Sequence, residues 1–251
     1  MKTKFDSNEQ YHSSPGISAS GLKAIYKKSV YHFLNKKPFE SSAMALGTAV
    51  HCAMLEAEMY YKEFHVMPKI DRRTKQGKEQ FIIQQKKSQG KKIVSFDDHE
   101  KITKILENFR KHELAQKYCQ GEIELSHYGK HDGLDVRVRP DCLNRVEGFI
   151  SDVKTCQDNS PIAFKRDVYK YAYHLQAAFY MDMCGVNKFK FIAVETNYPF
   201  SVEVYTLSDE MIEQGRKAWQ RAFDDWKIYC DTGVVSGYIW NEFDNDGSLI
   251  L

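Results

Sequence analysis

From Gly148 to Thr155 the chain reads Gly-Phe-Ile-Ser-Asp-Val-Lys-Thr, an apolar run whose far end turns charged. Successive side chains of a strand point to opposite faces, so Asp152 and Lys154 share one face while Val153 points the other way. Phe149, Ile150 and Val153 need cover, which puts the strand inside a sheet. The chain must therefore supply partners for a carboxylate and an ammonium at the end of a core strand. A second acid stands eleven residues upstream, where Asp141 follows Pro140 at the close of the alternating run Leu134 to Arg139. If the strand ending near Asp141 pairs with the one ending at Lys154, two carboxylates meet beside a lysine. Oxygen donors of this kind suit a hard divalent cation, and the ammonium can orient a water or steady charge developing on a phosphate.

Periodicity around this centre predicts one α/β domain with an N-terminal helical elaboration. The stretch to Pro15 reads as a loosely ordered arm. Ser18 and Ser20 offer N-caps to a helix from Gly21 to Leu34, and a second helix runs from Ser42 to Ala57. Residues 69–92, rich in lysine, glutamine and glycine, read as a mobile basic loop or a helix that orders on DNA. A helix is expected from Asp97 to Tyr118, then strands at Glu122 to Tyr128, Leu134 to Arg139 and Gly148 to Lys154. A long helix from Ile162 to Cys184 follows, with Gln176 and Tyr180 one turn apart on a shared face. Strands at Phe189 to Glu195 and Ser201 to Leu207 precede a helix capped by Ser208 and ending near Tyr229. The tail, 232–251, is Gly/Asn/Asp-rich and ends in Leu249-Ile250-Leu251. Within one domain spanning 1–251, residues 1–118 form the helical, basic part and 119–231 the catalytic core.

Several chemistries are excluded by what the chain lacks. There is no phosphate-binding GxxxxGK[ST] loop, no GxSxG elbow, no HExxH and no dinucleotide glycine fingerprint. The six cysteines are scattered without a CxxC pair, which argues for reduced thiols in a cytosol and against a zinc ribbon or an iron–sulfur cluster. No run reaches the length of a membrane span and no apolar stretch near the start reads as a signal peptide. The net charge of +2 conceals an asymmetry: up to Lys92 there are 17 Lys/Arg against 8 Asp/Glu, and beyond it 19 against 26. A basic part that holds a polyanion and an acidic part that cuts it would divide in this way. His51, on an otherwise apolar helix, is an acceptable further ligand for Mg²⁺ or Mn²⁺.

The set of motifs resembles the PD-(D/E)XK nuclease superfamily, with Pro140-Asp141 as its PD and Asp152-Val153-Lys154 as its DXK. More narrowly, the chain is similar to the C-terminal nuclease domains of the RecE (exonuclease VIII) family and its phage-borne relatives. The matching strings are Ala43 to His51, Pro68 to Lys78, Gly133 to Asp141, Asp152 to Thr155 and Tyr173 to Tyr180. The resemblance implies a restriction-endonuclease-like core, a central mixed sheet flanked by helices. It implies that His51, Asp141, Asp152 and the Val153 carbonyl hold Mg²⁺, with Mn²⁺ as a substitute, and that Lys154 positions or activates the attacking water. Glu124 would be an outer or water-mediated partner, and Gln176 with Tyr180 would match a QxxxY element. Digestion of one strand of duplex DNA from its end, 5′→3′, would leave a 3′ overhang for a RecT-type annealing protein in a bacterial or phage-infected cytosol. A homo-oligomeric ring is implied, a tetramer before a trimer. Arg72, Arg73, Lys75, Lys78, Arg137 and Arg139 are the expected DNA contacts. The alternatives are a RecB- or Cas4-like enzyme for single strands and a non-catalytic DNA-end binding module.

Overall fold

The computed structural model describes residues 1–238; the expected apolar end of the tail, Leu249 to Leu251, lies outside the described residues. Strand β1 (Lys2–Lys4) and helices α1 (Asn8–Ser13), α2 (Ala19–Lys27), α3 (Val30–Leu34), α4 (Ser42–Leu55) and α5 (Ala57–Glu63) come first. Strand β2 (Phe64–Val66), helix α6 (Lys75–Ser88) and strand β3 (Lys92–Val94) form an arm, closed by parallel pairing of β2 with β3. Helices α7 (Phe96–Lys111) and α8 (Glu113–Tyr118) lead into β4 (Glu122–Ile123), β5 (Ser126–His131), β6 (Leu134–Val138), β7 (Cys142–Asn144) and β8 (Phe149–Cys156). Helices α9 (Pro161–Lys170) and α10 (Tyr173–Cys184), strands β9 (Lys188–Glu195) and β10 (Val202–Thr206), and helix α11 (Asp209–Thr232) complete the chain.

The central sheet has the order β10-β9-β8-β7-β4. It is mixed, because β8 and β9 run parallel across the α9–α10 crossover while the remaining pairs are antiparallel. Strict alternation divides the core into two layers. Ile150, Phe189, Phe191 and Ala193 face the layer of α2, α10 and α11, whereas Val153, Ile192 and Val194 face α4 and α7. Helices thus cover both faces, which is why β8 and β9 are apolar on both sides. A second sheet, β1-β5-β6, packs Val136 and Val138 into the first layer.

Local chemistry sets several boundaries that periodicity alone placed differently. The N-terminal arm is ordered: β1 pairs with β5, and Ser7 and Gln10 close a reciprocal capping box on α1. The helix expected from Gly21 to Leu34 breaks because Ser29 caps a new helix, α3, and the one expected to Tyr118 breaks at His112, which caps α8. The basic segment resolves as helix α6, capped by Thr74. The helix expected from Ile162 to Cys184 is two helices, separated by Ala172 in a left-handed conformation (φ 52°). That break starts α10 afresh and turns Leu175, Gln176 and Phe179 inward, all buried.

Helix α11 crosses the start of α10 at Gly215, where an added Cβ would stand 2.1 Å from the His174 carbonyl oxygen. No rotamer relieves a clash with backbone. Gly215→Ala is expected to cost about 1–3 kcal/mol, the usual range for overpacking a close contact. The check is a lower urea midpoint at unchanged m-value.

Candidate metal centre

The centre forms where β7 meets β8. Cys142 pairs with Ser151, so one step along the ladder brings Asp141 level with Asp152. Asp141 therefore reaches β8 from the strand that begins after it, not from the strand that ends before it, which pairs elsewhere with β5. Asp141 Oδ2 accepts the Val153 N–H at 2.7 Å, a side chain completing the ladder before β7 begins. From the opposite face of the sheet, α4 comes close to β8 at Gly47, where a Cβ would lie 3.1 Å from Thr155 Oγ1. One turn later His51 sets Nε2 2.6 Å from the Val153 carbonyl oxygen.

Glu124 joins this pair. It was expected within a continuous strand, but the strand breaks at Glu124 itself, whose φ is 49°. Its N–H donates to the Asp141 carbonyl at 3.1 Å. Its side chain is held by Arg139, with Nε 2.9 Å from Oε2. His51 Nδ1 lies 3.4 Å from Asp141 Oδ2 and 3.9 Å from Glu124 Oε1. The ligand atoms of His51, Glu124 and Asp141 fall within 4.8 Å of one another. Asp152 does not belong to that triad. Its Oδ1 accepts from Gln176 Nε2 at 2.6 Å and its Oδ2 is ion-paired with Lys154. In this arrangement Glu124, expected as an outer group, stands within the triad, and Asp152, expected as a ligand, lies beside it and is paired with the i,i+2 lysine on their shared strand face.

The protonation states follow from burial and neighbours. Burial pushes Asp141 up, Asp152 and Glu124 add to the effect, and the carboxyl stands at about 7 despite His51. Burial alone would lower His51, but the nearby carboxylates of Asp141, Glu124 and Asp152 outweigh it and hold the imidazole at about 9. Burial likewise opposes the charge on Lys154, yet Asp152 and Asp141 outweigh it and keep its ammonium well above the ordinary lysine range. One imidazole and two crowded carboxylates fit a divalent cation, whose charge would relieve the repulsion that lifts Asp141.

Around the centre, Tyr180 is buried on α10, and burial drives its phenol well up. Arg137 and Arg139 both lie over the Tyr11 ring, and Arg137 donates to the His12 carbonyl, so both are tied to the N-terminal arm. Arg72, Arg73, Lys75 and Lys78 sit on the loop before α6 and its first turn, away from β7 and β8 in the chain order. Arg73 is paired with Asp71, and Arg72 lies 4.6 Å over Phe81. Lys23 of α2, absent from the expected site, donates to Gln176 Oε1 at 2.9 Å and lies near Tyr173, as does Lys154. Burial, with Lys154 nearby, lowers Lys23 to about 7. Its only sequence signal is a lysine between the buried Leu22 and Ile25.

The model of a family described as a PDDEXK-like domain of unknown function matches residues 18–234. No match was found among curated proteins. A provisionally assigned exonuclease from Eubacterium rectale has a similar crystal structure, with 13% identity and a TM-score of 0.61 over 93% of this chain and 90% of that one. At that identity the likeness is one of fold. A phage-related exonuclease from Haemophilus somnus aligns at 10% identity with a TM-score of 0.37, over 90% of this chain and all of the other.

Because His51 and Asp141 both sit above their ordinary values, each holds a proton that an incoming cation must displace. Divalent-cation affinity is expected to rise with pH through the interval from about 7 to about 9 and to level off above it. Calorimetric titration with Mn²⁺ in buffers of different ionisation enthalpy is expected to show about one to two protons released per ion near pH 7. Binding that is flat across this interval would contradict the assignment of these two groups.

Proposed function

This chain belongs to the family of PDDEXK-like domains, and on that premise we propose that it is a divalent-metal-dependent exodeoxyribonuclease. Its substrate is linear duplex DNA, one strand of which it digests from the end, 5′→3′, leaving a 3′ overhang for recombination by strand annealing. The observation that carries this reading is the β7–β8 junction, which gathers His51, Glu124 and Asp141 beside the Asp152–Lys154 pair. The RecE-type strings, which run in family order through most of the chain, support the finer statement. Mg²⁺ is the proposed cation and Mn²⁺ its substitute.

His51, Asp141 and Glu124 would hold the cation, with Asp152 and the Val153 carbonyl at its border. A bound divalent cation supplies a Lewis acid for the phosphodiester and lowers the pKa of a coordinated water. The chain's own groups do the rest. Lys154, held above its ordinary value by Asp152 and Asp141, supplies positive charge where the phosphorane gathers negative charge. Gln176 keeps Asp152 in place on the same strand face. Arg139 steadies Glu124. DNA is held by the basic part, with the α6 arm supplying contacts to phosphates that carry no sequence information. The proposed assembly is a ring of identical subunits, a tetramer before a trimer, with a RecT-type annealing protein as partner. A DNA-end binding module without activity is the poorer reading, because nothing in pure binding requires a lysine paired with a buried aspartate beside a His/Glu/Asp triad.

Linear duplex labelled at one 5′ or one 3′ end tests activity, metal need and polarity together. Release of 5′-terminal nucleotides with Mg²⁺, and none with chelator, is the expected result. Lys154→Met and Asp141→Ala are each expected to lower the rate by about 10²–10³ or more, as when an electrostatic stabiliser is removed, with duplex affinity retained. Full activity of either variant would sink the reading. For the arm, Arg72/Arg73/Lys75/Lys78→Ala is expected to flatten the dependence of log K on log[salt] by about 0.9 per lost phosphate contact. Fluorescence anisotropy across a salt series is the measurement.

A further inference from the structure

We infer that Lys23 is a positioning residue for Asp152, acting through the side-chain amide of Gln176. The inference rests on the nuclease reading above and adds a component from outside the motifs that carry it. Lys23 Nζ donates to Gln176 Oε1 at 2.9 Å, and Gln176 Nε2 donates to Asp152 Oδ1 at 2.6 Å. Gln176 and Asp152 are both buried, so neither has water as a substitute partner. An ionised carboxylate only accepts, and Lys23 in its charged form only donates. One orientation of the amide therefore satisfies both ends. A flipped amide would set its oxygen against the carboxylate and its NH₂ against the lysine, two unmade hydrogen bonds in a setting of low dielectric.

The fold gives this chain of contacts firm ends. Ser18 caps α2 through the Gly21 N–H, and Leu22 and Ile25 bury that helix in the same layer as Leu175 and Phe179 of α10. Tyr173, one turn before Gln176, has the Lys23 ammonium 5.5 Å and the Lys154 ammonium 4.9 Å from its ring centroid. Asp152 is thus gripped at Oδ1 from α2 by way of α10, and at Oδ2 by Lys154 on its own strand. Without Lys23 the amide oxygen loses its partner, and Asp152 alone is left to hold the amide that fixes the carboxylate facing Lys154.

The test pairs Lys23→Met and Lys23→Gln with Gln176→Leu. In ¹⁵N-labelled protein the Gln176 side-chain amide is identified by its absence from Gln176→Leu. Its carboxylate-bonded proton is expected downfield in the parent chain and back among free side-chain amides in both Lys23 variants. On end-labelled duplex, either Lys23 substitution is expected to lower kcat about tenfold with KM for DNA changed less than about twofold. Combined with Gln176→Leu, Lys23→Met is expected to add no further loss, the mark of one shared pathway. An unmoved Gln176 resonance, additive losses, or an effect confined to KM would overturn the inference, the last by making Lys23 a DNA contact. Unfolding of both Lys23 variants would assign the residue to the core and overturn it as well. If the parent chain cuts no DNA with Mg²⁺ or Mn²⁺, the nuclease reading fails, while the resonance still decides the Lys23–Gln176 coupling.

Discussion

One carboxylate oxygen joins the fold to its chemistry. Oδ2 of Asp141 accepts the Val153 N–H, continuing the β7–β8 ladder by side chain, and the same oxygen faces the His51 imidazole. Rotating Asp141 away would orphan a buried N–H, a loss of roughly 1–3 kcal/mol. The aspartate is therefore kept in place by the sheet and not by whatever it binds. Val153 repeats the arrangement in reverse: its N–H is held by Asp141 and its carbonyl oxygen by His51. A single residue, Val153, thus sets the spacing between an acid just before β7 and an imidazole on α4.

Strand β8 is used on both of its faces. His51 approaches from the α4 layer, and Gln176, Tyr173 and Lys154 lie on the α10 side. The charges alternate around this strand end. Asp152 stands between Lys154 and a donor amide, Asp141 beside an imidazole held at about 9, and Glu124 against Arg139. Each acid has a basic or donating neighbour on the protein side. This makes the burial of Asp141 and Asp152, and the partial burial of Glu124, tolerable.

The parts of this plan that were legible in the sequence are those governed by short-range rules. The i,i+2 relation of Asp152 and Lys154, the shared face of Gln176 and Tyr180, and the N-caps at Ser18 and Ser208 follow from period and cap chemistry alone. The β7 strand was not legible, because three residues, Cys142 to Asn144, carry too little pattern to separate them from a turn. The break at Ala172 leaves no local trace either. Alanine favours helix, and the left-handed backbone there is imposed by packing of a residue that is fully buried. Glu124 reads as one more strand position until the three-dimensional pairing sends β4 and β5 to different sheets. Lys23 was hidden for the opposite reason: its partner is 153 residues away, and a lone lysine in a helix ordinarily reaches solvent.

The left-handed turn at Glu124 has a mechanical meaning. This residue is the crossing point between the five-stranded sheet, which ends at β4, and the three-stranded sheet, which resumes at β5. Its carboxylate is braced by Arg139, just past the end of β6 in the second sheet, while its N–H is bonded to Asp141 at the edge of the first. The two sheets are therefore coupled through one side chain of the triad. A tilt of one sheet against the other would therefore change the separation of Glu124 from His51 and Asp141. The binding geometry is in this sense tied to the angle between the sheets through Glu124.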